Sequence, residues 1–187
     1  QEQHTWAKVS GVGPKTATVI MQAMDGQVPE YLRKLRDEKQ PLVEGGLSMR
    51  AAIKGDLHTH SSWSDGGSPL EEMMITARAL GHDYCAITDH SPRLQVARGL
   101  SAERLRQQIA VVADLNQVMA PFRCLQGIEV DILEDGGLDQ SDGLLAELDV
   151  VVSSVHSKLR SDSETMTHRM VGGIANPRTN ILGHCTG

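Results

Sequence analysis

His58 and His60 stand two residues apart at the end of a short β-like run, Ala52 to Leu57. On an extended backbone, residues i and i+2 share a face, so the two imidazoles can chelate a borderline cation such as zinc, manganese or iron. Other metal-type residues close apolar runs in the same way. His90 follows Tyr84 to Thr88, Glu129 follows Phe122 to Ile128, His156 follows Val150 to Val155, and His184 follows Ile181-Leu182-Gly183. Asp65 lies on a Ser/Gly-rich loop able to fold back toward His60. An isolated histidine is more often structural than a ligand, and His4, His82 and His168 are read that way. Five strand-terminal histidines together with Glu129 and Asp65 are poorly explained by coincidence. Carboxylates commonly bridge paired metals, which makes Glu129 the bridging candidate. A multinuclear centre of this kind activates water near neutral pH and holds phosphate oxygens, so the chemistry expected is metal-assisted hydrolysis of a phosphoester. Neither a Ser-His-Asp nucleophile elbow nor a phosphate loop ending in Gly-Lys-Ser/Thr is present.

The elements that must position these residues alternate regularly from about residue 50. Ser68-Pro69-Leu70-Glu71 reads as a helix start, and Leu70, Met73, Met74, Ala77 and Leu80 recur at helical spacing before Gly81. Ser101 to about Met119 reads as a long amphipathic helix with Leu105, Ile109, Val112 and Leu115 or Val118 inward, and Ser163 to Ala175 as another. Apolar strands alternating with helices predict a parallel sheet covered by helices, in either an open doubly wound sheet or a barrel. The barrel is favoured, because the polar residues fall at strand C-termini, the rim where α/β barrels build active sites.

Composition narrows the function classes. The 187 residues are 40% hydrophobic and 22% charged, enough for one sizeable domain with an appendage and unlike a disordered chain. Aromatic residues make up 3%, so the core must be aliphatic. A formal charge of −6 argues against nucleic-acid binding through bulk positive charge. Cys85, Cys124 and Cys185 are too few and too scattered for a disulfide framework, which fits a reducing, cytoplasmic setting. No apolar run reaches the length of a membrane span. The chain opens on Gln1 and closes on Gly187, three residues past His184, and both ends read as cut.

Five segments in order carry a resemblance: Gly55-Asp-Leu-His-Thr-His-Ser-Ser-Trp-Ser-Asp-Gly66, Ile87-Thr-Asp-His90, Gly127-Ile-Glu-Val-Asp-Ile132, Ser154-Val-His-Ser157 and Ile181-Leu-Gly-His184. They resemble the successive motifs of the PHP (polymerase and histidinol phosphatase) family, in the version found at the C-terminus of bacterial family X DNA polymerases and in their polymerase-less relatives. The resemblance implies a distorted seven-stranded (β/α) barrel over residues 49–187, incomplete at its C-terminus, with up to three divalent metals at its rim. By the same resemblance His58, His60 and Glu129 hold a first metal. Glu129 bridges to a second metal, also held by His156 and His184, and Asp65 and His90 hold a third. The family completes the first and third positions with an Asp-x-His motif near the end of its domain, which has no counterpart after His184 here, and it usually has proline where Cys185 stands. Glu129, His156 and Asp89 are therefore the residues expected to serve catalysis. Asp89, just before His90, is expected to orient an imidazole or a metal-bound water. Asp56 and Asp131 border ligands, and a role supporting those ligands and a solvated or loop-stabilising role are read equally well. Lys158, Arg160 and Arg169 are read as ordinary surface charge, with a phosphate clamp as the alternative.

Residues 1–48 differ in texture. A Gly-containing turn leads into a helix beginning near Pro14, with Ala17, Ile20 and Ala23 or Met24 inward. A charged helix from Val28 to about Lys39 follows, and then a linker from Pro41 to Gly46. Val9-Ser-Gly-Val-Gly-Pro-Lys-Thr-Ala resembles a helix-hairpin-helix DNA-binding motif. There, the backbone N–H groups around Gly11 and Gly13 and the ammonium of Lys15 would meet a DNA phosphate without reading sequence. One such hairpin on an acidic chain predicts weak, salt-dependent binding. Three functions follow as expectations. The first is a metal-dependent phosphoesterase acting on DNA 3′ ends, the second a small-molecule phosphatase of the histidinol-phosphatase type, and the third a DNA-binding accessory module with a structural barrel. No segment before residue 50 resembles a polymerase palm, and no sequence feature fixes the oligomeric state. A barrel lacking its last strands is expected to be poorly soluble and weakly active on its own.

Overall fold

The computed structural model of the chain describes residues 6–37 and 45–185. His4, the end of the charged helix at Glu38 and Lys39, linker residues 41–44 and Gly187 lie outside the described residues. The chain divides into two compact units, Gln1–Ala52 and Ile53–Gly187.

The first unit begins with a single 3-10 turn, Trp6–Lys8. Helices α1 (Pro14–Met24), α2 (Glu30–Asp37) and α3 (Gly46–Ala52) follow. Pro14 occupies the first turn of α1, where its missing N–H has no bond to lose. Of the residues expected to face inward on α1, Ala17 is buried, but Met24 is 63% exposed. The end of the expected linker is instead the start of α3: Gly45 takes a φ of +82°, and the helix then runs through Ala52. The first strand consequently starts later than the sequence suggested.

The second unit is built from β1 (Gly55–Thr59), α4 (Leu70–Ala79), β2 (Tyr84–Ile87), α5 (Ala102–Met119), β3 (Arg123–Asp131), α6 (Asp142–Leu145), β4 (Val150–Ser154), α7 (Ser163–Ala175) and β5 (Ile181–Leu182). All neighbouring strands are parallel and their spatial order is β1-β2-β3-β4-β5. A doubly wound sheet reverses its strand order at a switch point. This sheet does not, and it curls into part of an α/β barrel. The order decides between the two architectures that the βα rhythm left open.

Period-two alternation sorts β3 into two faces. Cys124, Ile128 and Val130 pack under the helices, and Leu125 faces the concave side with Ala86, Val150, Val152 and Ile181. Glu129 and Asp131 continue the concave row toward the strand's C-terminal end. Gly127 lies in that row because a Cβ there would come within 2.8 Å of the Val150 carbonyl oxygen and 2.9 Å of that of Ile87. Under the helices, one cluster joins Leu70 and Met74 of α4 to Cys85, Ile87, Val112 and Cys124. A second joins Leu105 of α5 to Ile128, Val130, Leu144 and Val151. Trp63 packs against both. Helix starts are capped where Ser or Asp precedes them: Ser101 accepts from Arg104 N–H, Ser141 from Leu144 N–H and Asp162 from Thr165 N–H. No helix among the described residues is long and apolar enough to cross a membrane.

Candidate metal centre

Each strand of the curled sheet delivers its metal-type residues to one rim. The pairing of β1 with β2 slips by one residue between Asp56 and Thr59, a bulge that bends the strand just before its histidines. Asp56 accepts a hydrogen bond from His58 N–H at 3.0 Å and supports that turn. His58 and His60 then present rings with centroids 5.2 Å apart. His90 follows β2, and its backbone bridges to Glu129.

Glu129 is 1% exposed and stands at the centre. Its Oε2 lies 3.3 Å from His58 Nε2, 3.3 Å from His60 Nε2 and 3.1 Å from His90 Nδ1. Its Oε1 lies 3.2 Å from His156 Nε2 and 2.9 Å from His184 Nε2. One carboxylate thus divides five imidazoles, three on one oxygen and two on the other. Asp65 Oδ1 lies 3.5 Å from His90 Nε2 and 3.9 Å from His60 Nδ1. His58 and His184 come from the two edge strands of the described sheet, yet their rings stack with centroids 6.3 Å apart, so the curl brings those edges together.

The electrostatics of this cluster favour positive charge. Burial alone would push the Glu129 carboxyl up, but hydrogen bonds from His156, His58 and His60 outweigh it and hold the group far below the usual carboxylate range. Asp131, then Glu129, raise His156 to about 9 against its burial. Burial opposes the charge on His60 as well, and the Glu129 hydrogen bond still lifts it above the ordinary value. His90 moves the other way: burial, reinforced by the neighbouring His60 and His156, lowers it despite Glu129.

The donor set fits divalent cations. Three groups have converging ligand atoms: His58, His60 and Glu129; His60, Asp65 and His90; and His90, Glu129 and His156. His60 Nδ1 and His90 Nδ1 are buried and make no well-directed hydrogen bond, even though Glu129 Oε2 lies 3.1 Å from His90 Nδ1, an arrangement that a cation relieves. Imidazole nitrogen with carboxylate oxygen suits zinc, manganese or iron alike. His184 approaches Glu129 and His156 but lies half-exposed at the margin, with a left-handed φ of 25°.

Around the ligands, the structure places several residues that sequence reasoning left open. Asp131 is buried and pairs through Oδ1 with His156 Nδ1, which leaves His156 Nε2 facing the centre. Asp89 is 1% exposed, and the donors reaching it are Ser61 N–H, Ser61 Oγ, Ser64 Oγ and Gln108 Nε2, with no imidazole among them. Arg169 is not surface charge. It is buried, and its guanidinium bonds the carbonyls of Ile132, Leu133 and Ser157, tying the ends of β3 and β4 together. Lys158 and Arg160 remain exposed beside His156. Gln108 and Arg104 were missed. A signal existed for Gln108, which sits three residues after Leu105 and four before Val112, on the inward stripe of α5. In the first unit, Gly11, Gly13 and Lys15 are exposed at the turn leading into α1, and Gly11 takes a φ of 83°.

The PHP domain matches residues 56–177, the span that carries β1 to β4 and every residue of the ligand cluster but His184. The chain belongs to the PHP-domain phosphoesterase family. Among its relatives is the Bacillus subtilis protein named DNA polymerase/3'-5' exonuclease PolX, 46% identical over 135 residues that cover 72% of this chain and 24% of the relative. A probable phosphatase from a Thermoanaerobacter species is 31% identical over 134 residues, 69% of this chain and 52% of that protein. A probable phosphatase of Acetivibrio thermocellus is 30% identical over 133 residues, 69% and 53% of the two chains. The PHP chain described here therefore spans about a quarter of the first relative and about half of the phosphatases.

Proposed function

We propose that this PHP chain hydrolyses phosphoesters with divalent cations held by His58, His60, Asp65, His90, Glu129, His156 and His184, and that its substrate is DNA, cleaved from the 3′ end. The observation carrying the hydrolytic half is the convergence of five imidazoles on one buried carboxylate. The DNA half rests on the 46% identity to a relative whose name includes a 3'-5' exonuclease. Up to three cations fit the family pattern, drawn from zinc, manganese and iron, and a cytoplasmic setting follows from the free thiols.

Cations bound there would supply Lewis acidity toward phosphoryl oxygens and an activated water at neutral pH. The chain's own contribution is geometric. Glu129 presents Oε2 to His58, His60 and His90 and Oε1 to His156 and His184, so both halves of the centre would draw on one carboxylate. Asp131 orients His156 by taking its Nδ1 side. Lys158 and Arg160, exposed two and four positions after His156, are the candidates for meeting the non-bridging phosphate oxygens. The exposed turn at Gly11 and Gly13, with Lys15, adds a weak, salt-dependent contact to the DNA backbone.

The relatives named as probable phosphatases favour a second reading, a small phosphomonoester as substrate. A comparison of a 5′-labelled oligonucleotide with p-nitrophenyl phosphate, in manganese and in zinc, separates the two. Shortening of the oligonucleotide from its 3′ end, abolished by His58→Ala and retained by Lys15→Glu on short substrates, supports the proposal. Turnover of the phosphomonoester alone moves the assignment to a phosphatase. DNA association without turnover of either substrate, in a metal-loaded chain, leaves a binding module.

A further inference from the structure

We infer that helix α5 holds the metal centre in register through Gln108, a positioning residue for the loop between His60 and Asp65; the inference rests on the metal-centre reading above. That loop connects two ligand residues, so its shape sets the distance between them. Its hydrogen bonds run to a small set of residues behind the rim. Asp89 accepts from Ser61 N–H at 2.8 Å, Ser61 Oγ at 2.7 Å and Ser64 Oγ at 2.5 Å. Arg98 donates to the carbonyls of Ser62 and Ser64, and Arg104 to that of Trp63.

Asp89 is in turn held from below. Gln108 Nε2 donates to Asp89 Oδ2 at 2.7 Å, and Gln108 Oε1 accepts from Gln126 Nε2 at 3.1 Å. A polar chain therefore runs from β3 through α5 and the end of β2 to the loop that carries Asp65. Gln108 is fully buried, on the stripe of α5 that carries the buried Leu105 and Val112. An apolar residue would pack there without the desolvation penalty of a buried amide. What the amide supplies is direction. It fixes the rotamer of Asp89, and Asp89 fixes two serines of the ligand loop.

The test is zinc titration of the full chain, followed by equilibrium dialysis and elemental analysis, for the wild type, Gln108→Met, Val112→Ala and Asp65→Ala. Gln108→Met keeps the side-chain volume and removes both hydrogen bonds; it is expected to weaken zinc binding about tenfold or more. Val112→Ala opens a cavity on the same helix, outside the polar chain, and is expected to lower thermal stability without changing zinc affinity. Introduced into Asp65→Ala, Gln108→Met should cost little further affinity, because the ligand it positions has gone. Should Gln108→Met fail to fold, Ser64→Ala removes the loop end of the same chain and is expected to weaken zinc in the same way. Wild-type affinity in Gln108→Met or Ser64→Ala overturns the inference, as does a loss in Val112→Ala equal to that in Gln108→Met. A folded wild type that takes up no zinc, manganese or iron overturns the metal-centre reading itself.

Discussion

Asp131 Oδ1 meets His156 Nδ1 on the far side of the ring from Glu129, so that one buried carboxylate aims an imidazole at another. A histidine whose Nδ1 side is occupied can offer only Nε2 to a cation, and its ring cannot turn away. Asp131→Ala is expected to reduce metal affinity by about 10–100-fold, the usual cost of removing such a partner. Titration with zinc under equilibrium dialysis reads the change. Unaltered affinity would mean that Asp131 serves the fold and not the centre.

Cation binding to the folded state alone raises stability by roughly 2.7 kcal/mol at a hundredfold excess over Kd. A chelator is therefore expected to lower the Tm of the wild type, and restored zinc or manganese to raise it. In Glu129→Ala, which removes the carboxylate between the five imidazoles, neither addition should shift the transition. A chelator-sensitive Tm in that variant would place the metal elsewhere.

Thiol chemistry gives a third expectation. Burial pushes Cys124 up to about 12 and raises Cys85 as well, and only thiolates react quickly. Cys185 is exposed. At pH 8 one thiol per folded chain should react with a disulfide reagent, and three after denaturation. Cys185→Ser should silence the folded chain.

Asp162 caps α7 and accepts from both Thr165 N–H, at 2.9 Å, and Thr165 Oγ, at 2.8 Å. These bonds depress its pKa below the ordinary 3.8. A carboxyl lowered in the folded state stabilises fully above its unfolded value and loses that contribution as pH falls through the folded one. The Tm difference between wild type and Asp162→Ala should hold steady from about pH 7 to pH 5 and narrow below about pH 4. A difference independent of pH would show that the charge has no part in capping.

Arg169 supplies a test of misreading as well as of stability. On sequence it was one of three cations near His156. In the fold it satisfies carbonyls of Ile132 and Ser157 that are otherwise left without that donor. Arg169→Ala is expected to destabilise the unit by about 2–4 kcal/mol, given that each orphaned buried group costs about 1–3 kcal/mol. Arg160→Ala, at an exposed position, should leave stability within about 0.5 kcal/mol. Denaturant unfolding distinguishes them.

The contrast between those two arginines shows what a sequence conveys and what it withholds. Strand ends were legible because each ligand closes an apolar run, as His90 closes β2 and His156 follows β4. Helix α7 was legible from its spacing and from the Asn176-Pro177 pair after it. By contrast, α6 is a single turn, Asp142–Leu145, too short for any period to register. Helix α3 hid behind two glycines that looked like a linker. The residues behind the ligands were hidden for a further reason. Gln108 finds Asp89 across 19 positions and Asp139 finds Ser91 across 48, and no local pattern encodes such distances. Strand order had the same status, since alternating β and α segments write barrels and doubly wound sheets alike.

The stacking of His58 on His184 carries a last consequence. These rings belong to strands at opposite edges of the described sheet, which share no backbone hydrogen bond there. What joins the edges is Glu129, reached from both sides. The centre is then a clasp as much as a reaction site. A cation seated on it would brace the curl against splaying, and its release would let the two margins part first.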